Sequence, residues 1–111
     1  KYILNILTSK DKIRTKKFLG NNVTLFRHIE CDDKTTKGKP DPSRIIKIMK
    51  NLKANKSQCV YIGDTNIDYQ TAKNSNIDFI FVLWGYGKRY NNKYKCKKFS
   101  DILKILKYFE D

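Results

Sequence analysis

The amino-acid sequence predicts an α/β domain in which a parallel sheet carries helices on both faces. Short apolar runs rich in β-branched and aromatic residues alternate with longer segments of helical periodicity. Such alternation is typical of parallel strands joined by helical crossovers. At 111 residues the chain has the length of one domain and can form a hydrophobic core.

The first third of the chain contains two predicted strands with a helix between them. An apolar strand over 2–7 is followed by a helix over 11–19, which Gly20 and Asn21 are expected to end. The apolar face of this helix is thin. A second, short strand is predicted over 26–31.

A second helix is predicted over 41–52, because Pro42 then falls in its first turn, where proline is tolerated. Helical spacing predicts a buried stripe that consists of Ile45, Ile46, Met49 and Leu52.

The rest of the chain repeats the same alternation. Strands are predicted over 59–62 and 79–83, and a helix over 67–75 lies between them. Ser100 is expected to cap a final helix. The apolar residues of that helix are Ile102, Ile105, Leu106 and Phe109.

The segment V-Y-I-G-D-T-N-I-D, which ends at Asp68, carries the strongest functional signal. Gly63 permits a sharp turn at the end of the strand, Asp64 follows it, and Asp68 comes one helical turn later. Two carboxylates placed in this way can share Mg²⁺, and ligand sites in open α/β sheets lie beyond the carboxyl ends of strands. The same residues also suit an ordinary turn and helix N-cap, since Asp and Asn favour both.

Two other segments add groups that suit a phosphate. The first strand ends at Thr8 and Ser9, and the loop K-G-K-P-D-P presents Lys39 before a proline. A hydroxyl can donate to a phosphoryl oxygen, and a lysine can offset the phosphate charge. Taken singly, Thr8 also fits a β-branched strand end and Lys39 an ordinary loop lysine.

Together these motifs resemble the haloacid dehalogenase-like phosphohydrolases over almost the whole chain. The segments I-L-T-S-K, G-K-P-D-P, Y-I-G-D-T-x-x-D and W-G-Y-G are similar to those of the phosphoglycolate phosphatase-like branch. The resemblance implies a Rossmann-like sheet and an Mg²⁺-dependent phosphatase that hydrolyses a small phosphorylated metabolite through an aspartyl-phosphate. It implies that Thr8 and Ser9 bind phosphate, that Lys39 and Asp64 are catalytic, and that Asp64 and Asp68 form the metal site.

One departure from the family pattern concerns the nucleophile, which lies in a D-x-D-G motif that this sequence lacks. The adjacent pair Asp32 and Asp33 follows the wrong strand to replace it. We therefore expect residues 1–111 to be the C-terminal portion of a single core domain, whose nucleophile strand and cap lie upstream. The alternative is a short, non-catalytic relative.

The resemblance also predicts a gap in the sheet. In the family, the nucleophile strand lies between the strand that ends in the hydroxyl residue and the strand that ends in G-D. Without it, two half-sheets with unpaired inner edges remain, and such edges favour aggregation. We expect the chain alone to be inactive and poorly folded, and to need its upstream segment as a partner.

The charge balance is strongly basic, with 24 Lys and Arg against 11 Asp and Glu and a net charge of +13. Such an excess favours nucleic acid as a partner, but the lysines are scattered, as in proteins from AT-rich genomes. One basic segment, interleaved with tyrosines, is a candidate for binding single strands. A solvated loop is the favoured interpretation, and a positive field for a phosphate ester is a third. The segment contains Lys88, Arg89, Lys93, Lys95, Lys97 and Lys98.

The remaining residue types exclude several classes of site. The three cysteines are far apart without a C-x-x-C motif, which favours reduced thiols and a cytoplasmic location. The resemblance assigns no role to His28, the single histidine. No run is long or apolar enough for a membrane span. We expect neither a membrane nor a nucleic-acid partner.

Overall fold

A computed structural model of the chain describes residues 2–34, 37–84, 94–98 and 100–107. Strands and helices alternate through most of this part of the chain, as the sequence predicts. The strands are β1 (Asn5–Leu7), β2 (His28–Glu30), β3 (Val60–Gly63), β4 (Asp78–Val82) and β5 (Tyr94–Cys96). The helices are α1 (Lys12–Leu19), α2 (Ser43–Leu52), α3 (Asn66–Asn74) and α4 (Ser100–Leu106), with 3₁₀ turns at Gly20–Leu25 and Lys56–Gln58.

The strands pair in parallel and form two separate sheets. β1 pairs with β2 in one sheet, and β4 lies between β3 and β5 in the other. In the larger sheet Val60 lies opposite Asp78, and Ile80 lies opposite Tyr94. The expected parallel α/β class is therefore confirmed.

Alternate residues of β4 face opposite sides of the three-stranded sheet and give the core two halves. Helix α4 covers one side and α3 the other, which confirms helices on both faces of this sheet. The first cluster of buried residues is Ile80, Val82, Cys96 and Ile102. The second is Ala72, Phe79 and Phe81, in which the two phenylalanine rings meet edge to face.

The buried face of α2 differs from the predicted stripe, which included Ile46 and omitted Ile48. Ile46 is 40% exposed, whereas Ile45, Ile48 and Met49 are buried. The buried positions follow the i, i+3, i+4 spacing of a helix, and Ile46 lies about 100° away from Ile45 around the axis. Arg44 is also buried on this helix, which the stripe did not predict.

The strands of the first sheet are shorter than predicted. The expected strand over 2–7 is regular only from Asn5, although the Arg27 amide extends the pairing by donating to the Leu4 carbonyl at 2.8 Å. Tyr2 and Ile3 are exposed. Extending the sheet would need a partner strand on the side of β1 that faces away from β2.

The prediction of a solvated loop over the basic segment is wrong for its last part. Tyr94–Cys96 is strand β5, in which Cys96 is fully buried and Lys95 is exposed. The segment alternates inward and outward side chains, so the lysine remains solvated while the strand completes the sheet. Residues 88–93 and Phe109 lie outside the described part of the chain.

The two sheets meet as the expected half-sheets. Among the described strands, β1 and β3 form no ladder with each other. The Tyr61 hydroxyl of β3 lies 3.5 Å from the Leu7 carbonyl of β1. The prediction of two half-sheets is confirmed, and side chains rather than backbone pairs connect β1 to β3.

Candidate active site

The turn after β3 is organised around the carboxylate of Asp68. Thr65 caps α3, because its hydroxyl accepts a hydrogen bond from the Asp68 amide at 3.1 Å. In return, one Asp68 oxygen accepts from the amides of Asp64 at 3.2 Å and Thr65 at 3.3 Å. This reciprocal capping box fixes Asp68 in the first turn of the helix.

The other Asp68 oxygen receives two side chains from elsewhere in the chain. Lys39 donates to it at 2.6 Å and the Tyr61 hydroxyl at 3.2 Å. The Lys39 and Asp68 side chains are only 16% and 6% exposed. The structure thus places Lys39, distant in sequence, directly at the turn that carries Asp64.

The charge of Asp68 is stabilised in spite of its burial. Desolvation alone would raise the pKa of Asp68, but the hydrogen bond and charge of Lys39, helped by Thr65 and Asp64, lower it below the ordinary value of 3.8. Asp68 is therefore ionised at neutral pH. The lysine is held in one place by an acid that carries a full negative charge.

Tyr61 completes the environment of this carboxylate as a neutral phenol. Burial, followed by the negative charge of Asp68, raises the pKa of Tyr61 well above its ordinary value of 10. The phenol therefore keeps its proton and can donate it to Asp68. Because its oxygen also lies near the Leu7 carbonyl, Tyr61 connects the turn to the strand that leads to Thr8.

The loop that carries Lys39 is held at a second point on α3. The Asn74 side chain, at the end of the helix, donates to the Pro40 carbonyl at 2.9 Å. Within the loop, the Asp41 amide donates to the Gly38 carbonyl at 3.0 Å. Lys39 is thus positioned by contacts with both ends of α3.

The predicted phosphate-binding hydroxyls follow β1. Thr8 is partly buried, its amide donates to the Glu30 carbonyl at 3.0 Å, and its hydroxyl oxygen accepts from the Lys10 amide at 3.1 Å. Ser9 is exposed. Thr8 therefore has the fixed backbone that a binding group needs, and the roles of Thr8 and Ser9 in phosphate binding stay predictions.

Asp64 and Asp68 are the two predicted ligands of Mg²⁺, a hard cation that binds carboxylate oxygens. They differ in how many hydrogen bonds their carboxylates already accept. A carboxylate offers about four lone-pair sites, and in Asp68 four donors already occupy them. Within the described residues, no group of three or more His, Cys, Asp and Glu side chains converges to hold a metal. Asp64 stays the predicted metal ligand, and the geometry favours an indirect contribution from Asp68, through Lys39 and the Asp64 backbone.

Three residues of this region were missed by sequence reasoning. Tyr61 gave a weak signal, since a tyrosine in a buried strand usually finds a partner for its hydroxyl. Arg44 gave a clearer one, because it interrupts the apolar face of α2 with a charge. Asn74 gave none, since nothing local indicates its bond to the Pro40 carbonyl.

Comparison with known proteins identifies relatives of this chain. The family model described as haloacid dehalogenase-like hydrolase matches residues 1–82. A phosphoglycolate phosphatase of Colwellia psychrerythraea is 32% identical over 111 residues, which cover 94% of this chain and 49% of that protein. The chain therefore spans about half the length of this relative.

Solved structures share the fold over nearly the whole chain. A predicted phosphoglycolate phosphatase from Haemophilus somnus superposes with a TM-score of 0.86 at 21% identity, over 95% of this chain and 50% of that one. A HAD-superfamily hydrolase from Geobacter sulfurreducens gives 0.80 at 16% identity, over 94% and 48%. Because these sequence identities are below 25%, the similarity to the two structures shows the fold alone.

Replacing Gly63 by alanine should displace Asp68. A Cβ atom at Gly63 would lie 2.5 Å from the Cβ and 2.7 Å from the Cγ of Asp68, so the glycine is needed for this close approach. We expect Gly63→Ala to lower the free energy of unfolding of the full-length protein by about 1–3 kcal/mol, measured by urea denaturation. Gly38→Ala is the matched control, since no atom lies within 4 Å of its Cβ. Equal losses in both variants would contradict this account.

The lowered pKa of Asp68 predicts a specific loss of stability in acid. Its ionised form is favoured in the folded state, so its contribution is complete above the ordinary value of 3.8 and is lost as the pH falls through the lower folded-state pKa. We expect the free energy of unfolding to fall more steeply below about pH 4 in the wild type than in Asp68→Asn. Urea titrations of the full-length protein between pH 2 and 6 measure this free energy, and parallel curves for the two proteins would exclude Asp68 as a source of the slope.

Proposed function

The chain belongs to the haloacid dehalogenase-like hydrolases, and we propose that the whole protein is an Mg²⁺-dependent phosphatase that hydrolyses a small phosphate monoester through an aspartyl-phosphate. The observation that carries the proposal is the buried pair of Lys39 and Asp68 at the turn of Asp64. Through this pair the ammonium group of Lys39 is held at the turn that carries Asp64, the predicted metal ligand. Such a pairing suits a site that must hold a phosphoryl group.

Each predicted side chain has a distinct role in this proposal. Thr8, with Ser9 beside it, donates hydrogen bonds to the phosphoryl oxygens. Lys39 acts as a point charge that stabilises these oxygens as charge redistributes in the transition state. Asp64 would ligate Mg²⁺, which supplies charge neutralisation and orientation of the phosphoryl group when it is bound.

The proposed reaction has two displacements at phosphorus. An aspartate of the upstream segment attacks the phosphorus atom, the bond to the ester oxygen breaks, and this oxygen takes a proton from a second, acid-base aspartate of the same segment as the alcohol leaves. Water then gives a proton back to the second aspartate as it attacks the aspartyl-phosphate, which releases inorganic phosphate and regenerates the first carboxylate. Lys39 remains hydrogen-bonded to Asp68, and the other donors of its ammonium group can bind the phosphoryl oxygens in both steps.

The upstream segment is proposed to enter the gap between the two sheets. Support comes from the parallel direction of the strands and from the absence of a ladder between β1 and β3 in the described residues. Ile62 of β3 is 40% exposed in the present chain. A strand in this gap would cover such residues and bring its carboxyl end towards the turn of Asp64.

The proposed substrate is a small phosphorylated metabolite, and phosphoglycolate is a candidate because relatives carry that activity in their names. Another small phosphate ester and a nucleotide are the alternatives to test. The proposed location is the cytoplasm, supported by the free thiols of Cys31, Cys59 and Cys96. In the described part of the chain, every helix is too short or too polar to cross a bilayer.

Removing the Asp64 charge tests the metal assignment. In the full-length protein we expect Asp64→Asn to lower hydrolysis of p-nitrophenyl phosphate on the order of a hundredfold or more, because a charged ligand is lost. Activity is measured against Mg²⁺ concentration. Asp78→Asn is the control, since Asp78 is exposed and begins β4, whereas the candidate site lies beyond the carboxyl ends of the strands. Wild-type activity in Asp64→Asn would refute the assignment.

Supplying the upstream segment in trans tests the division of the site. We expect residues 1–111 alone to show no turnover at saturating Mg²⁺, and we expect turnover to appear when the upstream segment is added. An upstream segment whose candidate nucleophile is changed to Asn should restore folding, seen by circular dichroism, but not turnover. Hydrolysis by residues 1–111 alone would show that the nucleophile lies within them.

A further inference from the structure

Arg44 is a buried cation with an unusual position in the first turn of α2. It is 4% exposed, and its Nη2 atom lies 3.4 Å from Asp33 Oδ1 and 3.6 Å from Asp32 Oδ1. Burying a guanidinium is unfavourable unless acids compensate it. The two aspartates therefore bind α2 to the segment that follows β2.

The same segment contacts the loop that carries the predicted phosphate-binding hydroxyls. The Asp32 amide donates to the Lys10 carbonyl at 3.0 Å. The Lys10 amide donates in turn to the Thr8 hydroxyl oxygen at 3.1 Å. A continuous series of contacts thus leads from Thr8 through Lys10 and Asp32 to Arg44.

Arg44 is also close in sequence to Lys39. Helix α2 begins directly after the turn of Lys39 and Pro40, and Asp41 accepts from the Ser43 amide at 2.8 Å. The first turn of α2 is therefore connected to the Lys39 loop through Asp41. Arg44 is the charged residue through which this turn contacts Asp32 and Asp33.

We propose that Arg44 is a positioning residue that fixes the distance between the Thr8 side and the Lys39 side of the phosphate site. The inference rests on the proposed function and adds to it a group that does not touch the substrate. Thr8 and Lys39 belong to different halves of the site, because Lys39 is bound to α3 while Thr8 follows β1. The Arg44 ion pairs supply a connection between these two halves.

A second ion pair on the same helix provides a matched control. Lys47 lies 3.2 Å from Glu30 and also connects α2 to β2, but its side chain is 61% exposed. Exposed ion pairs contribute little to stability or geometry. Replacing Lys47 by Met removes one cation from α2, as replacing Arg44 does, without opening a buried site.

The first measurement is the affinity of the full-length protein for inorganic phosphate, from product inhibition and from calorimetry with Mg²⁺. We expect Arg44→Met to weaken phosphate binding on the order of tenfold, because small misplacements of positioning groups have large effects. Lys47→Met should stay within about twofold of the wild type. Arg44→Met removes the buried charge itself, and the Asp32 and Asp33 side chains that lose this partner are 42% and 58% exposed and stay solvated, so the melting temperature should change little.

A double variant distinguishes positioning from a general loss of packing. If Arg44 acts through the Lys39 side, Arg44→Met should have a much smaller effect on phosphate affinity in a Lys39→Ala background. Equal effects in both backgrounds would overturn the proposal. Should Arg44→Met fail to fold, Asp33→Asn weakens the same ion pair from its exposed side and should reduce phosphate affinity in the same direction.

Hydrogen exchange keeps the inference separate from the proposed function. We expect the Asp32 amide to exchange faster in Arg44→Met than in the wild type, while amides between β3 and β4 exchange at unchanged rates. A wild-type protein that neither hydrolyses phosphate esters nor binds phosphate would refute the function, whatever the exchange result. A wild type that does both, together with an Arg44→Met variant of unchanged phosphate affinity, would refute the role of Arg44 alone.

Discussion

The buried ion pair between Lys39 and Asp68 is the contact on which the rest of the site depends. Its 2.6 Å separation joins a loop of one half of the chain to a helix of the other. Burying two charges is compensated only when their remaining hydrogen-bonding sites are also used, and for Asp68 two amides and a phenol provide this. The pair therefore selects one arrangement of loop and helix more than it adds stability.

This dependence explains why small residues and caps surround the pair. Asp68 can accept from the Asp64 and Thr65 amides because Gly63 leaves room for its side chain. The sequence motif led us to attribute Gly63 to a sharp turn, but its φ lies outside the left-handed region, so its missing Cβ is what matters. The missing Cβ of Gly63 thereby determines where Asp68 lies, and Asp68 in turn determines where the charge of Lys39 lies.

The periodic signals predicted the fold well, and contacts between distant segments were beyond their reach. Strand β4 and helix α3 follow from local pattern, whereas β5 has three residues, of which Cys96 is buried and Lys95 exposed, too short a pattern to detect. Thr8, Lys39 and Asp64 could be proposed from the sequence because their residue types suit phosphate and metal. Tyr61 and Asn74 were not, because their roles depend on the Leu7 and Pro40 carbonyls, which only the folded chain brings near.

The charges of the site explain why the proposed reaction includes a divalent cation. Lys39 contributes one positive charge to the turn after β3, and Asp64 and Asp68 contribute two negative charges. Because Asp68 already offsets Lys39, a phosphate dianion entering this turn would also meet the negative charge that Asp64 adds. Two negative charges that lie close together in a partly buried site repel each other strongly. A cation of charge +2 bound by Asp64 reverses the sign of the local field, and Lys39 can then act on the phosphoryl oxygens while it remains bound to Asp68.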